Sequence, residues 1–433
     1  MPEAIISNFT FNANTSIMTA MIRYADTDPA IVKGIKTVGV GKKGSQPLPQ
    51  DVALEIIEDL KANKVSDAAK GAFFAGLLAK GVEPQEQVLA DAFPEGVFAD
   101  PQKLVHSLSS DAPDFVRWVC GKLIAGNTLD KQTAYDLGKF LFSTESGDGA
   151  RGLVASFLRV RYETDDEYEG ILQAIHETFS EPFKSPVPAG AAIVQLAEPF
   201  DGTDHSYMIT PLLGQYIQSL GYRVIHMVGK NSGPKLVMNL WDIAQELGQK
   251  PVLGNEDLAK PAPAMGWFFH QSDMSQALDR WVGIRRQTIK RPFLSTLERF
   301  VNPAKANILI ASAFHPPYGE KMMTIAERAG FEKIVIVRNG IEGSIAFPLK
   351  RPVKMLLSKK QPDGSYVRHE INFDVEVFLG KSVPMEDMVE HLKVSDNARL
   401  IQNYLSKGVS GNELFDLRIK ATTAGLKQAL EWL

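Results

Sequence analysis

The sequence predicts an α/β protein: a helical N-terminal domain with a doubled helical unit, packed on a mainly parallel, doubly wound sheet domain. Apolar residues recur at helical spacing through about the first 180 residues, whereas from Ala189 onward short apolar runs alternate with amphipathic ones. Three prolines between Pro182 and Pro188 mark the change. We therefore expect a helical domain over residues 1–182 and an α/β domain over residues 183–433.

The helical part contains two similar stretches, about residues 32–98 and 116–179. In the first, Asp51–Asn63 and the segment after Ser66 each place apolar side chains on one helix face. The segment GAFFAGLLAKGVEPQE resembles GLVASFLRVRYETDDE, which follows about eighty residues later. Two copies are too few for a solenoid, so the pattern predicts a doubled helical unit.

The second part has the alternation that is typical of a parallel sheet with helices on both faces. Amphipathic runs with helical spacing separate most of the short apolar runs. The candidate strands are Ile193–Leu196, Val224–Val228, Asn307–Ala311, Lys333–Val337, Val353–Leu357 and Ile371–Val377.

We expect the stretch Ile193–Leu247 to form the floor of a binding site, because two of its loops follow neighbouring predicted strands. The first loop contains Asp201 and Gly202, and the second begins with Gly229 and Lys230. Parallel strands bring such loops to the same carboxyl edge of a sheet. Ligands of open α/β sheets bind at that edge.

Composition limits the class of protein. With 44% hydrophobic and 23% charged residues, the chain is typical of globular proteins and unlike disordered or membrane ones. The single cysteine, Cys120, fits a reducing compartment. Residues 1–30 contain one basic residue, Arg23, and no continuous apolar core, so we expect a cytoplasmic protein without a membrane span. The formal net charge of −4 gives no general support to nucleic-acid binding, which must rest on a local basic face.

Three segments of the chain carry a resemblance to a known family. They are GIKTVGVGKKGSQPLPQDVALEIIEDLKANKVSDAAKGAFFAGLLAKGVEPQE; Arg285–Ala304, RRQTIKRPFLSTLERFVNPA; and Tyr318–Gly343. Together they resemble the anthranilate phosphoribosyltransferase family, and within it the YbiB-type branch. The first is similar to the family's N-terminal helices, the second resembles a further family segment, and the third resembles the strand and turn before the family's metal-binding pair. The likeness covers most of the chain except about residues 100–180.

The resemblance implies a helical domain on an α/β domain, with phosphoribosyl pyrophosphate bound between them. Enzymes of the family wrap the pyrophosphate in a Gly-Thr-Gly-Gly-Asp-Gly loop, since glycine lets backbone N–H groups approach a phosphate. Here the matching residues are AEPFDG, in which Asp201 and Gly202 are retained. Pro199 lacks an N–H, Phe200 adds bulk, and Glu198 would bring a carboxylate beside the phosphate. This loop is therefore poorly suited to pyrophosphate.

At the other positions of the family site, this chain retains some of the family's residues and has lost others. Thr210 matches a phosphate-contacting residue, although a helix N-cap before Pro211 is the alternative interpretation. The magnesium-binding Asp-Glu pair corresponds to Ile345 and Ala346, which cannot ligate a hard cation. Arg285 matches the arginine that binds the substrate carboxylate. We therefore expect neither a metal site nor catalytic residues.

Positive charge is concentrated in two places. A basic run is often a solvated face, but arginine also suits bidentate phosphate contacts. The aromatic run Trp267–Phe269 could stack on bases, or belong to the core. The candidate nucleic-acid or anion contacts are Lys42, Lys43, Arg285, Arg286, Lys290 and Arg291.

Two hypotheses follow. In the first, the protein has lost transferase chemistry, needs no cofactor and binds DNA or RNA non-specifically, as the resemblance to the YbiB-type branch implies. In the second, it is an active pentosyltransferase with an altered substrate, using magnesium and phosphoribosyl pyrophosphate. The apolar faces of Asp51–Leu78, together with the family's mode of pairing, also predict a homodimer through the helical domain.

Overall fold

The structure is a computed structural model that describes residues 24–41, 44–314, 316–338, 340–383, 389 and 392–433. The chain forms two compact units. The helical unit comprises Met1–Thr128, Glu145–Glu163 and Gln287–Pro292. The sheet unit comprises Leu129–Thr144, Thr164–Arg286 and Phe293–Leu433.

The helices before the sheet are short and amphipathic. Several begin at a residue whose side chain caps the first turn, as Ser66, Asp130 and Thr164 do. In chain order they are α1 (Ala30–Val38), α2 (Gln50–Lys61), α3 (Asp67–Lys80), the 3₁₀ helix Pro84–Ala92, α4 (Pro101–Leu108), α5 (Asp114–Ile124), α6 (Lys131–Leu141), α7 (Asp148–Arg161), α8 (Asp165–Glu177) and α9 (Glu181–Lys184).

In the helical unit α3 packs against α7 at very close range. A Cβ atom at Gly71 would lie 2.0 Å from the carbonyl oxygen of Gly149, and one at Gly152 would lie 2.0 Å from that of Ala68. Glycine at both positions lets the two backbones touch. The apolar face of α3 is therefore covered from within the same chain.

One hydrogen-bonding arrangement occurs twice in the helical segments. The Leu48 N–H donates to Glu86 Oε1 at 2.7 Å, and the Leu129 N–H donates to Glu167 Oε1 at 3.0 Å. The donor and the acceptor of the second bond each lie 81 residues after those of the first, at 129 instead of 48 and at 167 instead of 86. Each glutamate also accepts the backbone N–H three residues before it, in a capping box.

The two compact units do not follow the proline-rich stretch at Pro182–Pro188, because α6 and α8 pack together and group with the sheet. The domain boundary at residue 182 stays a prediction. The homodimer through Asp51–Leu78 also stays a prediction, although α7 already covers part of that surface.

The sheet confirms the predicted α/β class. Its order within the described residues is β3-β2-β1-β4-β5-β6-β7, parallel from β3 to β5 and antiparallel at β6 and β7. The sequence had not predicted β3. The strands are β1 (Ile193–Ala197), β2 (Arg223–Val228), β3 (Trp267–His270), β4 (Ile308–Ala313), β5 (Lys333–Arg338), β6 (Val353–Lys360) and β7 (Tyr366–Phe373).

Helices cover the sheet and enclose its apolar core. No helix in the described ranges is long and apolar enough to cross a membrane. These helices are α10 (Thr210–Ser219), α11 (Leu240–Glu246), α12 (Gln271–Met274), α13 (Gln276–Thr288), α14 (Leu294–Phe300), α15 (Pro316–Arg328), α16 (Val375–Leu379), α17 (Val394–Lys407) and α18 (Glu413–Trp432), with short 3₁₀ helices at Asn255–Ala259 and Ile341–Gly343.

The strand order reverses between β1 and β4, which both pair with parallel neighbours. Such a switch point opens a crevice outside the carboxyl ends of the strands. The loops after β1, β2 and β5 lie at this edge. The candidate site lies at this edge.

Candidate functional site

The aromatic ring of Phe200 occupies the space inside the loop after β1. Phe200 is 4% exposed, and a Cβ atom at Gly229 would lie 2.8 Å from the Phe200 ring. Gly202 has φ +73°, and a Cβ atom there would lie 2.0 Å from the carbonyl oxygen of Met238. Asp201 is buried as well. The loop therefore packs against the loop after β2 and leaves no open cradle beside Gly229.

Glu198 and Thr210 form a buried contact behind this loop. Thr210 Oγ1 donates to Glu198 Oε1 at 2.6 Å, and the Ile345 N–H donates to the same oxygen at 2.9 Å. Burial raises the pKa of Glu198 to about 6, against the effect of these two hydrogen bonds. Thr210 is the first residue of α10 and not its N-cap, so the cap interpretation is wrong. Because Thr210 is fully buried, it does not face a ligand.

A second carboxylate, that of Glu342, links three loops at the carboxyl edge. Its oxygens accept the backbone N–H of Asp204 at 2.9 Å and that of His205 at 3.0 Å. The Ser206 hydroxyl also donates to Glu342, and Lys235 Nζ lies 3.2 Å from it. Burial alone would raise the pKa of Glu342, but these hydrogen bonds and the Lys235 ammonium outweigh it and hold the pKa below its usual value.

Arg285 also binds a carboxylate of the protein. Its guanidinium pairs with Glu298 on α14, both side chains are 4% exposed, and a second N–H donates to Ser295 Oγ at 3.0 Å. We expected Arg285 on an exposed basic face. The structure corrects this, because a buried arginine in an ion pair is not available to a phosphate backbone.

The other predicted basic residues are more accessible. Arg286 is exposed, and its guanidinium donates to the carbonyl oxygen of Asn231 at 3.0 Å. Lys290 and Arg291 follow within five residues and are half-buried. Lys42 and Lys43 lie outside the described residues.

The remaining candidates have structural roles. Lys230 forms an ion pair with Asp279 at 2.6 Å. Trp267–Phe269 lies within β3 and is buried, so these rings are core and do not stack on bases. His226 is fully buried, and its ring stacks on that of Phe268, so it is part of the core.

The residues at the family's metal position do not fit a magnesium ion. Ile345 and Ala346 are buried in the apolar core of the sheet unit. Glu342, the carboxylate beside them in sequence, is engaged by Asp204, His205 and Ser206. Within the described ranges, no group of three or more His, Cys, Asp or Glu side chains could hold a metal ion.

The contacts of two carboxylates in the site, those of Glu298 and Glu342, were not predicted from the sequence. Glu298 lies 13 residues after its partner Arg285, in a different helix, and Glu342 lies 136 residues after Ser206. No local pattern in the sequence signals either contact. The bulk of Phe200 was recognised, but not its packing against Gly229.

Sequence comparison finds related enzymes. No protein-family model matches the chain. It is 24% identical over 235 residues to an uncharacterised protein of Aquifex aeolicus, covering 54% of this chain and 69% of that protein. It is 23% identical over 228 residues to the anthranilate phosphoribosyltransferase of Geobacillus stearothermophilus (51% and 64%), and 24% over 214 residues to that of Thermoplasma acidophilum (49% and 63%). The chain thus spans less than two thirds of each of these two enzymes.

Two solved structures share the fold. The anthranilate phosphoribosyltransferase of Thermus thermophilus matches with a TM-score of 0.55 and 20% identity, covering 74% of this chain and 90% of that chain. The Saccharomyces cerevisiae enzyme in complex with phosphoribosyl pyrophosphate and magnesium matches with a TM-score of 0.56 and 14% identity, with the same coverage. The chain therefore has the fold of a phosphoribosyltransferase-like protein. In particular, it is similar in sequence and fold to anthranilate phosphoribosyltransferases, and its place in the YbiB-type branch stays a prediction.

Proposed function

We propose that this protein does not transfer phosphoribosyl groups and instead binds nucleic acid without sequence preference. The loss of transfer is carried by one observation: the protein's own side chains occupy the positions at which the related enzymes are expected to bind anions. Phe200 fills the space beside Gly229, and Glu342 takes the N–H donors of the loop after β1.

The substrate arginine position supports the same conclusion. Arg285 is neutralised by Glu298, and both are buried. A substrate carboxylate would have to displace Glu298 and leave that charge buried without its partner, which is costly in a low-dielectric environment. A metal ion cannot compensate, because Ile345 and Ala346 supply no oxygen ligands from their side chains.

Nucleic-acid binding is supported by the basic run at the end of α13 and after it. Arg286 is exposed, and its carbonyl hydrogen bond leaves the guanidinium with further N–H donors. Lys290 and Arg291 add two positive charges within five residues. Phosphate contacts of this kind give affinity without base readout. Lys42 and Lys43 are proposed to contribute as well.

The test for nucleic acid is a fluorescence-anisotropy titration at low salt with a random single-stranded oligonucleotide. The triple variant Arg286→Ala, Lys290→Ala and Arg291→Ala should bind more weakly and reduce the slope of log affinity against log salt by roughly 2. The matched control removes three exposed basic residues elsewhere: Arg399, Lys407 and Lys427. Absence of binding, or an equal loss in both variants, would overturn the proposal.

The test for lost transfer is calorimetric. We expect no binding of phosphoribosyl pyrophosphate with magnesium, and no turnover of anthranilate. Removing one oriented donor of transition-state charge costs roughly 3 kcal/mol in such chemistry, and here several donors are already engaged. Micromolar affinity that a chelator abolishes would favour the alternative, an active pentosyltransferase with an altered substrate.

A further inference from the structure

The strand β7 ends the sheet, and in the described part of the chain no further strand pairs with its outer edge. Within the β6–β7 hairpin, the Gln361 N–H donates to the carbonyl oxygen of Ser365 at 2.7 Å. On the other side of β6, the Lys360 N–H donates to the carbonyl oxygen of Glu332 at 2.7 Å. Because hydrogen bonds alternate along an antiparallel strand, the odd-numbered residues of β7 bond to β6. The even-numbered residues direct their N–H and C=O groups to the outer edge: Tyr366, Arg368, Glu370 and Asn372.

Two opposite charges occupy neighbouring outward positions of β7. The Arg368 guanidinium lies 2.6 Å from a carboxylate oxygen of Glu327 on α15. The Glu370 carboxylate accepts from Lys354 Nζ at 2.7 Å. The Arg368 and Glu370 side chains are nevertheless 41% and 40% exposed. A guanidinium has more N–H donors, and a carboxylate more acceptor positions, than one ion pair uses, so each group can bind a further charge beyond the edge.

The other face of β7 has exposed apolar surface near both of its ends. At the start of the strand Val367 is 49% exposed. Just after its end, on α16, Val377 is 77% exposed and Phe378 is 40% exposed. The Phe378 ring packs on that of Phe373, with 5.4 Å between the ring centroids. A strand of the same sequence that ran antiparallel along the edge would bring its own start to this apolar end and cover both.

We propose that β7 pairs antiparallel with β7 of a second copy of this chain, so that one sheet continues across a twofold axis. Two registers combine the longest overlap with outward residues opposite each other. The register centred on Glu370 sets two carboxylates opposite each other, which is destabilising. The register centred on His369 sets Arg368 opposite Glu370 of the second copy, and the axis repeats this pair. It also sets the exposed Val367 opposite Ile371, so this is the register that we infer.

The strand itself specifies a second copy as its partner. A twofold axis exchanges Arg368 and Glu370, so one strand supplies both members of each charge pair. The contact uses no residue of Asp51–Leu78 and is therefore separate from the homodimer predicted through the helical domain. If both contacts form, the protein is a tetramer, and loss of the β7 contact alone reduces it to a dimer.

The experiment reverses one charge at a time in the full chain and follows association by sedimentation velocity over a concentration series at low ionic strength. Arg368→Glu sets carboxylates opposite each other at both charge pairs, and Glu370→Arg sets guanidinium groups opposite each other. Each variant alone should associate through this contact at least about tenfold more weakly than the wild type.

The mixture of the two variants is the decisive sample. One copy then presents two carboxylates and the other two guanidinium groups, so both charge pairs are again attractive and association should return. Arg399→Glu reverses an exposed charge on α17 and is the matched control, which should associate like the wild type. Circular dichroism checks that each variant is folded.

A second measurement uses the wild type alone, in case a charge reversal prevents folding. The amides of Arg368 and Glu370 should exchange hydrogen more slowly as protein concentration rises, because pairing gives them acceptors. The amide of His369, which already bonds to β6, should change little.

Three results would overturn the pairing. One is a wild type whose outward β7 amides do not respond to concentration, which would leave an extended peptide of another protein as the occupant of the edge. Another is association that neither charge reversal weakens. The third is a pair of folded, weakly associating variants whose mixture does not recover, since opposed charges would then not be the cause of the loss.

Discussion

Arg285 and Glu298 form an ion pair in which each side chain is 4% exposed. The pair joins α13 to α14 in the interior of the sheet unit, and Ser295 supplies a further hydrogen bond. A positive charge that was expected to face solvent is thus part of the internal structure. Removal of the Arg285 charge should therefore lower the stability of the fold before it affects the binding of any ligand.

Glu298→Ala should lower the free energy of unfolding by roughly 3 to 5 kcal/mol, because it leaves a buried guanidinium without its carboxylate. The double variant Arg285→Met with Glu298→Leu should lose much less. Urea denaturation measures both. Arg399→Ala, which removes an exposed pair with Asp396, is the control and should change stability by about 0 to 1 kcal/mol. If Glu298→Ala lost less unfolding free energy than Arg399→Ala, the interpretation of Arg285 and Glu298 as a buried pair would be contradicted.

Glu198 gives a testable pH dependence. Its pKa is raised from 4.5 to about 6 in the folded protein, mainly by burial. The folded state therefore binds more protons than the unfolded state between these values, so this group's stabilising contribution is present below pH 4.5 and is lost as pH rises through 6. The loss amounts to about 2 kcal/mol for a shift of this size.

Comparison with Glu198→Gln isolates this effect. The difference in unfolding free energy between wild type and variant should fall as pH is raised from about 4 to about 7.5. Glu246→Gln on exposed α11 provides the matched substitution and should show no such trend. A pH-independent difference for Glu198→Gln would mean that its pKa is not raised.

The contact between α3 and α7 predicts a large effect of one methyl group. Gly152→Ala should destabilise the protein by about 1 to 3 kcal/mol, because the added Cβ would meet the Ala68 carbonyl and force the helices apart. Gly283→Ala on α13 is the control, since a Cβ there meets no described atom within 4 Å. That substitution should be neutral, or stabilising by at most about 1 kcal/mol. Thermal denaturation distinguishes the two.

The same contact bears on assembly. The sequence led us to expect a homodimer through the faces of Asp51–Leu78. Since α7 covers part of that surface, the homodimer would pair through the remainder of it. Sedimentation equilibrium measures this directly, and a monomer alone at micromolar concentration would contradict the homodimer.

The fold was largely predictable because its signals are local. The strands β1, β2, β4 and β5 are short, largely apolar runs between turn residues, and they were predicted within one or two residues. The four-residue β3 was missed because three adjacent aromatics are too short a run to distinguish a strand from another buried segment. The start of β7 was missed although Pro362-Asp363-Gly364 signals the turn before it; Gly364 has φ +87°.

The candidate site was less predictable because it depends on contacts between distant residues. The losses at Ile345 and Ala346 could be identified from residue type alone. The partners of Arg285 and Ser206 could not, since a charge in a sequence carries no information on whether a carboxylate lies opposite it in space. Burial of Arg285 therefore changed the interpretation of a residue that the sequence had placed on an exposed basic face.

The hydrogen bond from a leucine N–H to a glutamate, which occurs twice in the helical segments, also has consequences for the order of folding. In each copy the bond spans 38 residues, whereas the side-chain bond from Ile193 to Asn307 at the junction of β1 and β4 spans 114. Closing a shorter loop costs less chain entropy, so contacts of low sequence separation form early. Pulsed hydrogen exchange during refolding should therefore protect the amides of Leu48 and Leu129 before that of Ile193. The centre of the sheet, where the candidate site lies, would be assembled last.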